Sequence, residues 1–212
     1  MPMPRPTAIY RLMHLDNLPV ILEHGGVHAP NFFPADGYEY RAIHNLDIQK
    51  VRRQRPVPCG PGGTVHDYVA FYFGPRSPML LQLHTGRVEE YNEGQEPLIY
   101  AVSTVEAITQ AGLDFVFSDG HGIATFTQWF DDLNDLDKID WDVAYADYWA
   151  DTVDDMDRQR RKQAEFLVYQ FCPWDMMKRI GVLNIRVKEK VERILNRRNS
   201  FIPVEVCRQW YY

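Results

Sequence analysis

Glu165 stands in the run Gln163-Ala164-Glu165-Phe166-Leu167-Val168-Tyr169, where β-forming residues dominate and the pattern reads as a strand. A strand repeats every two residues, so Gln163 and Glu165 are expected on one face. A carboxylate on an otherwise apolar strand costs free energy unless it is paired, hydrated or used. The reading adopted is that it is used: an ionised carboxylate held in place stabilises positive charge that develops only in a transition state. Arg52 is the second candidate, in the cluster Lys50, Arg52, Arg53 and Arg55. A guanidinium stays protonated at ordinary pH, so its work is to hold or stabilise negative charge and not to take protons.

Composition narrows the classes. The chain has 212 residues, of which 45% are hydrophobic and 13% aromatic, as expected of a packed globular protein read as one unit over residues 1–212. No apolar run reaches the ~20 residues of a membrane span. The start, Met1-Pro2-Met3-Pro4-Arg5-Pro6, lacks the apolar core of a signal peptide. Cys59, Cys172 and Cys207 form no CxxC pair, which predicts a reduced, cytoplasmic protein. No HExxH motif is present, and Gly25-Gly26 between His24 and His28 spoils a helical pair, so no metal is expected. The net charge of −6 hides an asymmetry: Asp131 to Asp157 carries −10, leaving +4 for the rest. Besides the cluster around Arg52, Arg158, Arg160, Arg161 and Lys162 form a basic run suited to steering a polyanion.

The elements that must position these groups are mixed. Strands are predicted over Ala8 to Met13, His66 to Phe73, Met79 to Leu83, Pro97 to Val102, Leu113 to Phe117, the Glu165 run, Ile180 to Ile185 and Pro203 to Arg208. Asp16 is expected to cap a short helix stopped by Gly25, and a further short helix is expected around Asp47 to Arg53 inside a long irregular segment. Ser103 and Glu106 have capping-box spacing for a helix closed by Gly112. One or two helices are expected in the acidic stretch Thr127 to Ala150. Val187, Val191, Ile194 and Leu195 mark an amphipathic helix. Many strands with few helices fit an α+β fold. Neither GxGxxG after a strand nor GxxxxGK[ST] occurs, so a bound dinucleotide would sit on neither a Rossmann nor a P-loop platform.

Taken with the block His66 to Met79, these signals resemble the DarT family of DNA ADP-ribosyltransferase toxins. The resemblance runs in order from about Ile9 to Trp210-Tyr211-Tyr212, through Gly94-Gln95-Glu96-Pro97, Asp119-Gly120-His121-Gly122, Tyr148-Trp149-Ala150 and Lys162-Gln163-Ala164-Glu165-Phe166-Leu167-Val168. It implies an ADP-ribosyltransferase-like fold, with two packed, split β-sheets forming an NAD cleft and peripheral helices. It implies a toxin that transfers ADP-ribose from NAD+ to a nucleobase in single-stranded DNA, with thymidine expected and guanosine the alternative. A macrodomain antitoxin of the DarG type is the implied partner. Carried onto this chain, Glu165 and Arg52 are the catalytic residues. Tyr72 joins them at the cofactor, and Arg11, Leu12 and Met13 occupy the first-strand NAD element. There Arg11 and Met13 replace a His-x-Thr pattern, so that side-chain grip is expected to be altered.

The chemistry suits these residues. Breaking the nicotinamide–ribose bond leaves positive charge on the ribose, beside which Glu165 is useful. Arg52 is expected either to stabilise charge on the base carbonyls or to hold the pyrophosphate of NAD bidentately. A base must be unpaired to be reached, which favours single strands. His121, Tyr148, Trp149, Arg160, Arg161 and Gln163 are the expected DNA contacts, by stacking and phosphate pairing. The rival readings are the same transfer to RNA or protein, NAD glycohydrolysis, and a non-catalytic single-strand-binding module.

Overall fold

The computed structural model describes residues 1–89 and 91–212. In chain order the strands are β1 (Ala8–His14), β2 (Gly26–His28), β3 (Tyr68–Tyr72), β4 (Leu98–Thr104), β5 (Phe115–Ser118), β6 (Trp129–Phe130), β7 (Glu165–Tyr169), β8 (Phe171–Pro173), β9 (Arg179–Val182) and β10 (Val204–Val206). The helices are α1 (Leu18–Glu23), α2 (Leu46–Gln54), α3 (Pro78–His84), α4 (Val105–Gln110), α5 (Trp141–Ala144), α6 (Arg158–Arg161) and α7 (Ile185–Arg197).

Eight strands lie in the order β10-β9-β4-β1-β3-β7-β5-β6, and β2 pairs with β8 beside them. The expected division of the sheet is visible inside this order. β1 pairs with β4 over its whole length, and β3 pairs with β7 over its whole length. β1 and β3 share a single register pair, Tyr10 with Tyr72. The sheet is therefore two four-stranded halves joined at one point. Arg11 sits at the split, its Nη1 donating to the Ala70 carbonyl of β3 at 2.9 Å.

Alternation along the strands divides the core. Ile9, Met13, Val69, Phe71, Ile99, Phe117, Phe166 and Val168 join one large cluster with Val187, Val191 and Leu195 of α7. The intervening residues form two smaller clusters. Tyr10, Leu12, Tyr100 and Val102 pack with α3, Trp210 and Tyr211, whereas Tyr68, Val116 and Leu167 pack with Val57 and Val65.

Several expected elements change. Met79 to Leu83 is helix, not strand, because Ser77 Oγ accepts from Leu80 N, Pro78 is preset for a first turn, and Leu80 and Leu83 bury one face. Thr104, not Ser103, caps α4; Ser103 is a buried strand residue donating to the Met176 carbonyl. His66 lies on a 3-10 turn before β3. Asp16 does not cap α1, whose N-cap is Asn17. The acidic stretch holds little regular helix: β6, a 3-10 turn over Leu133–Lys138, and the four residues of α5. Its aspartates bond nearby backbone N–H groups, as Asp132 and Asp140 do, and this local bonding favours caps and turns over continuous helix.

Candidate active site

Glu165 opens β7, flanked across the sheet by Tyr72 of β3 and Ser118 of β5. It is 2% exposed. Arg52 comes from α2, which Asn45 caps through its side chain, and it is buried as well. The two meet as a bidentate pair: Nη1 to Oε1 at 2.7 Å and Nη2 to Oε2 at 3.2 Å. Burial opposes the charge on Arg52, but the Glu165 carboxylate outweighs it and raises the Arg52 pKa above its usual value. Removing either partner would leave a buried charge uncompensated.

This pair lies on the wall of a cavity of about 1350 Å³. Arg11, Leu12, Met13, Tyr72, His121 and Gln163 line it too. Burial lowers the pKa of His121, with Glu165 opposing and Arg52 adding to that shift, so its imidazole is held towards the neutral form. Tyr72 is pushed up by burial and then by Glu165, so its hydroxyl stays protonated. Gly122 lets the 119–127 turn close on the pair: a Cβ there would lie 3.1 Å from Glu165 Oε2. Among the described residues, no three His, Cys, Asp or Glu side chains are grouped to hold a metal ion.

The structure separates the expected DNA contacts. Gln163 reaches the cavity from a turn after α6, not from β7, and donates to the Gln159 carbonyl. Tyr148 is 89% exposed and free to stack. Trp149 is not: it is buried, and its Nε1 donates to the Tyr212 hydroxyl. Arg160 and Arg161 are already paired. Arg160 grips Asp119 and Asp157, each at 2.7 Å. Arg161 grips Asp140, Asp155 and Asp157. These two guanidinium groups frame the acidic segment, because the chain packs several carboxylates around them. Lys162 is buried and donates to the Ala144 and Ala146 carbonyls.

Arg53 and Arg87, which sequence reasoning did not select as contacts, also line the cavity. Among the described residues neither is ion-paired, whereas Lys50 pairs with Asp47 and Arg41 with Asp16 and Glu93. Arg53 had a weak signal in its cluster; Arg87 had none. Among the described residues, no helix is long and apolar enough to cross a membrane.

Known proteins place this geometry. The family described as "ssDNA thymidine ADP-ribosyltransferase, DarT" matches residues 10–212. A DNA ADP-ribosyl transferase of Thermus sp. (strain 2.9) is 43% identical over 99% of this chain and 98% of its own. The structure of Thermus sp. 2.9 DarT in complex with ADP-ribosylated single-stranded DNA superimposes with a TM-score of 0.91 at 42% identity, over 99% of this chain and 98% of that one. The same protein in complex with NAD+ gives 0.87 at 40% identity, with 99% of both chains covered. A match of this extent, over a split sheet with a buried carboxylate in its cleft, means that the chain belongs to the DarT family, enzymes that ADP-ribosylate thymidine in single-stranded DNA with NAD+ as donor.

Proposed function

We propose that Glu165 is the catalytic carboxylate of this transfer, that Arg52 works beside it, and that residues 1–212 act as one catalytic unit. The supporting observation is the buried bidentate pair on the cavity wall, which joins side chains 113 positions apart. The cavity suits NAD+ in size, and among the described residues the buried Arg11 Nε on its wall has no hydrogen-bond partner. NAD+ supplies the ADP-ribose and the weak bond to nicotinamide. Glu165 stabilises positive charge that builds on the ribose as that bond breaks, and its burial strengthens the effect. Arg52 holds the Glu165 carboxylate through two hydrogen bonds and offers its guanidinium to negative charge on the thymine carbonyls. Arg52 cannot take the ring proton; among the lining groups, Glu165 and neutral His121 can.

Arg53 and Arg87 take the role in phosphate binding expected of Arg160 and Arg161, because both line the cavity and neither meets a carboxylate among the described residues. Tyr148 stacks on a base near the acceptor. The enzyme works in the cytoplasm as a toxin whose partner is a DarG-type macrodomain antitoxin, as the family resemblance implies.

Labelled NAD+ offered with a single-stranded DNA pool, its duplex, an RNA pool and bulk protein tests the reading. Label is expected on single-stranded DNA, and none with Glu165→Ala. Wild-type-like transfer by Glu165→Ala would remove Glu165 from the chemistry. Free ADP-ribose without labelled DNA would make water the acceptor.

A further inference from the structure

Arg55 follows α2, and its backbone is fixed on both sides: its N–H donates to the Val51 and Arg52 carbonyls, and its carbonyl accepts from Val65 N at 3.0 Å. The side chain leaves this anchor and crosses to the 119–127 turn, where Nη2 donates to the Ala124 carbonyl at 3.0 Å. Among the described residues it makes the hydrogen bond that joins the segment 46–55 to that turn.

The turn is a small rigid body. Ala124 N donates to the His121 carbonyl at 2.9 Å, and Thr127 Oγ1 donates to the same carbonyl at 2.7 Å. His121 N is held by the Arg160 carbonyl at 3.0 Å. A displacement of Ala124 is therefore passed to His121, which lines the cavity. At the other end, a displacement of Arg55 is passed to Arg52, three residues back, and so to Glu165. Among the described residues the buried Arg55 Nε has no hydrogen-bond partner. The guanidinium is thus not locked by a saturated set of bonds, and a small shift of either element makes or breaks its single contact.

We propose that Arg55 is a positioning residue that couples the two substrates: ordering of α2 by NAD+ orders the turn that carries His121, and single-stranded DNA on that turn strengthens the hold on NAD+. This rests on the assignment of α2 to NAD+ and of the His121 turn to DNA. Coupling between two sites is reciprocal, so each substrate raises the affinity for the other by one common factor. Arg55 is not among the residues that line the cavity, so its loss is expected to act on the factor and not on either affinity alone.

The test is a binding cycle. Affinity for carba-NAD, which the enzyme cannot cleave, is measured with and without a short thymidine-containing single strand, in wild type, Arg55→Met and Arg55→Lys. Wild type is expected to show a coupling factor of about tenfold, within the usual range for linked sites. Arg55→Met is expected to bring the factor close to one while each affinity measured alone stays within about twofold; Arg55→Lys, which keeps a donor, should retain part of it. Full coupling in Arg55→Met, or none in wild type although both ligands bind, overturns the proposal and leaves the active-site assignment standing. Failure of wild type to bind carba-NAD or DNA at all overturns that assignment instead. If Arg55→Met does not fold, Arg55→Lys carries the test, and full wild-type coupling in it overturns the proposal.

Discussion

α2 with Arg55 and α6 with Lys162 each present four cations within a few residues, yet the two runs meet opposite surroundings. Around α6, Arg160 and Arg161 are enclosed by Asp119, Asp140, Asp155 and Asp157, and Lys162 by backbone carbonyls. Around α2, Arg52 has one carboxylate, Glu165, and Arg53 faces the cavity with none among the described residues. Charge that is neutralised within the fold holds a segment in place. Charge left open to a cavity is available to a ligand. The difference lies in the carboxylates that each run meets, not in the cations.

The largest expected effect lies where the α2 run meets a buried carboxylate, at Arg52 and Glu165. Glu165→Gln preserves the shape and removes the charge, and kcat is expected to fall by about 10²–10³, or ~2.7–4 kcal/mol. It also strands Arg52 as a buried cation, so the thermal midpoint should drop. A kcat within about threefold of wild type would mean that the pair is structural only.

Next come paired neutralisations, one in each run's territory. Arg160→Gln with Arg161→Gln should cost about 1.5–3 kcal/mol per broken set of charged hydrogen bonds, read from urea unfolding. The salt dependence of DNA binding should change little. Arg53→Gln with Arg87→Gln should do the reverse, with stability nearly unchanged and the slope of log K against log salt reduced by about 1.4, as two phosphate contacts on a single strand would give. If the α6 pair altered the slope and the cavity pair did not, the comparison would be inverted.

The smallest expected effect within any one pH unit concerns Lys162. Burial, and then Arg76, lowers its pKa from the ordinary 10.5 to about 7. Between those values the unfolded chain binds a proton that the folded chain does not, so the cost of burying this charge is greatest below about 7 and is relieved as pH rises towards 10.5. Wild-type stability should therefore gain up to about 1.4 kcal/mol per pH unit from this group in that window. Lys162→Met should flatten the rise, as read by urea midpoints at several pH values. An unchanged slope would mean that the amine is not held near neutrality.

Much of this molecule is legible in one dimension because local patterns carry local structure. The helix around Asp47 to Arg53, the glycine stop at Gly25 and the α7 stripe follow from capping, backbone freedom and periodicity. Where a pattern was short, tertiary packing decided. Met79 to Leu83 alternates too briefly to mark a strand, and Ser77 with Pro78 starts a helix there. Ser103 and Thr104 are both good caps, and burial of Ser103 in β4 leaves the role to Thr104. The functional pair is a mixed case. Glu165 is conspicuous as a charge in an apolar strand, whereas Arg52 differs from Arg53 and Arg55 only in where α2 points it.

By itself the sequence determined the residue types available for chemistry, the order and character of most elements and, through its ordered motifs, the family. These depend on neighbours along the chain and on side-chain chemistry. Only the tertiary structure decided which charges are used and which are enclosed, that Trp149 packs inward while Tyr148 stays in solvent, and that the sheet parts between β1 and β3 to make a cleft. Such outcomes depend on groups far apart in the chain, because the strength of a charge is set by the partners and water around it.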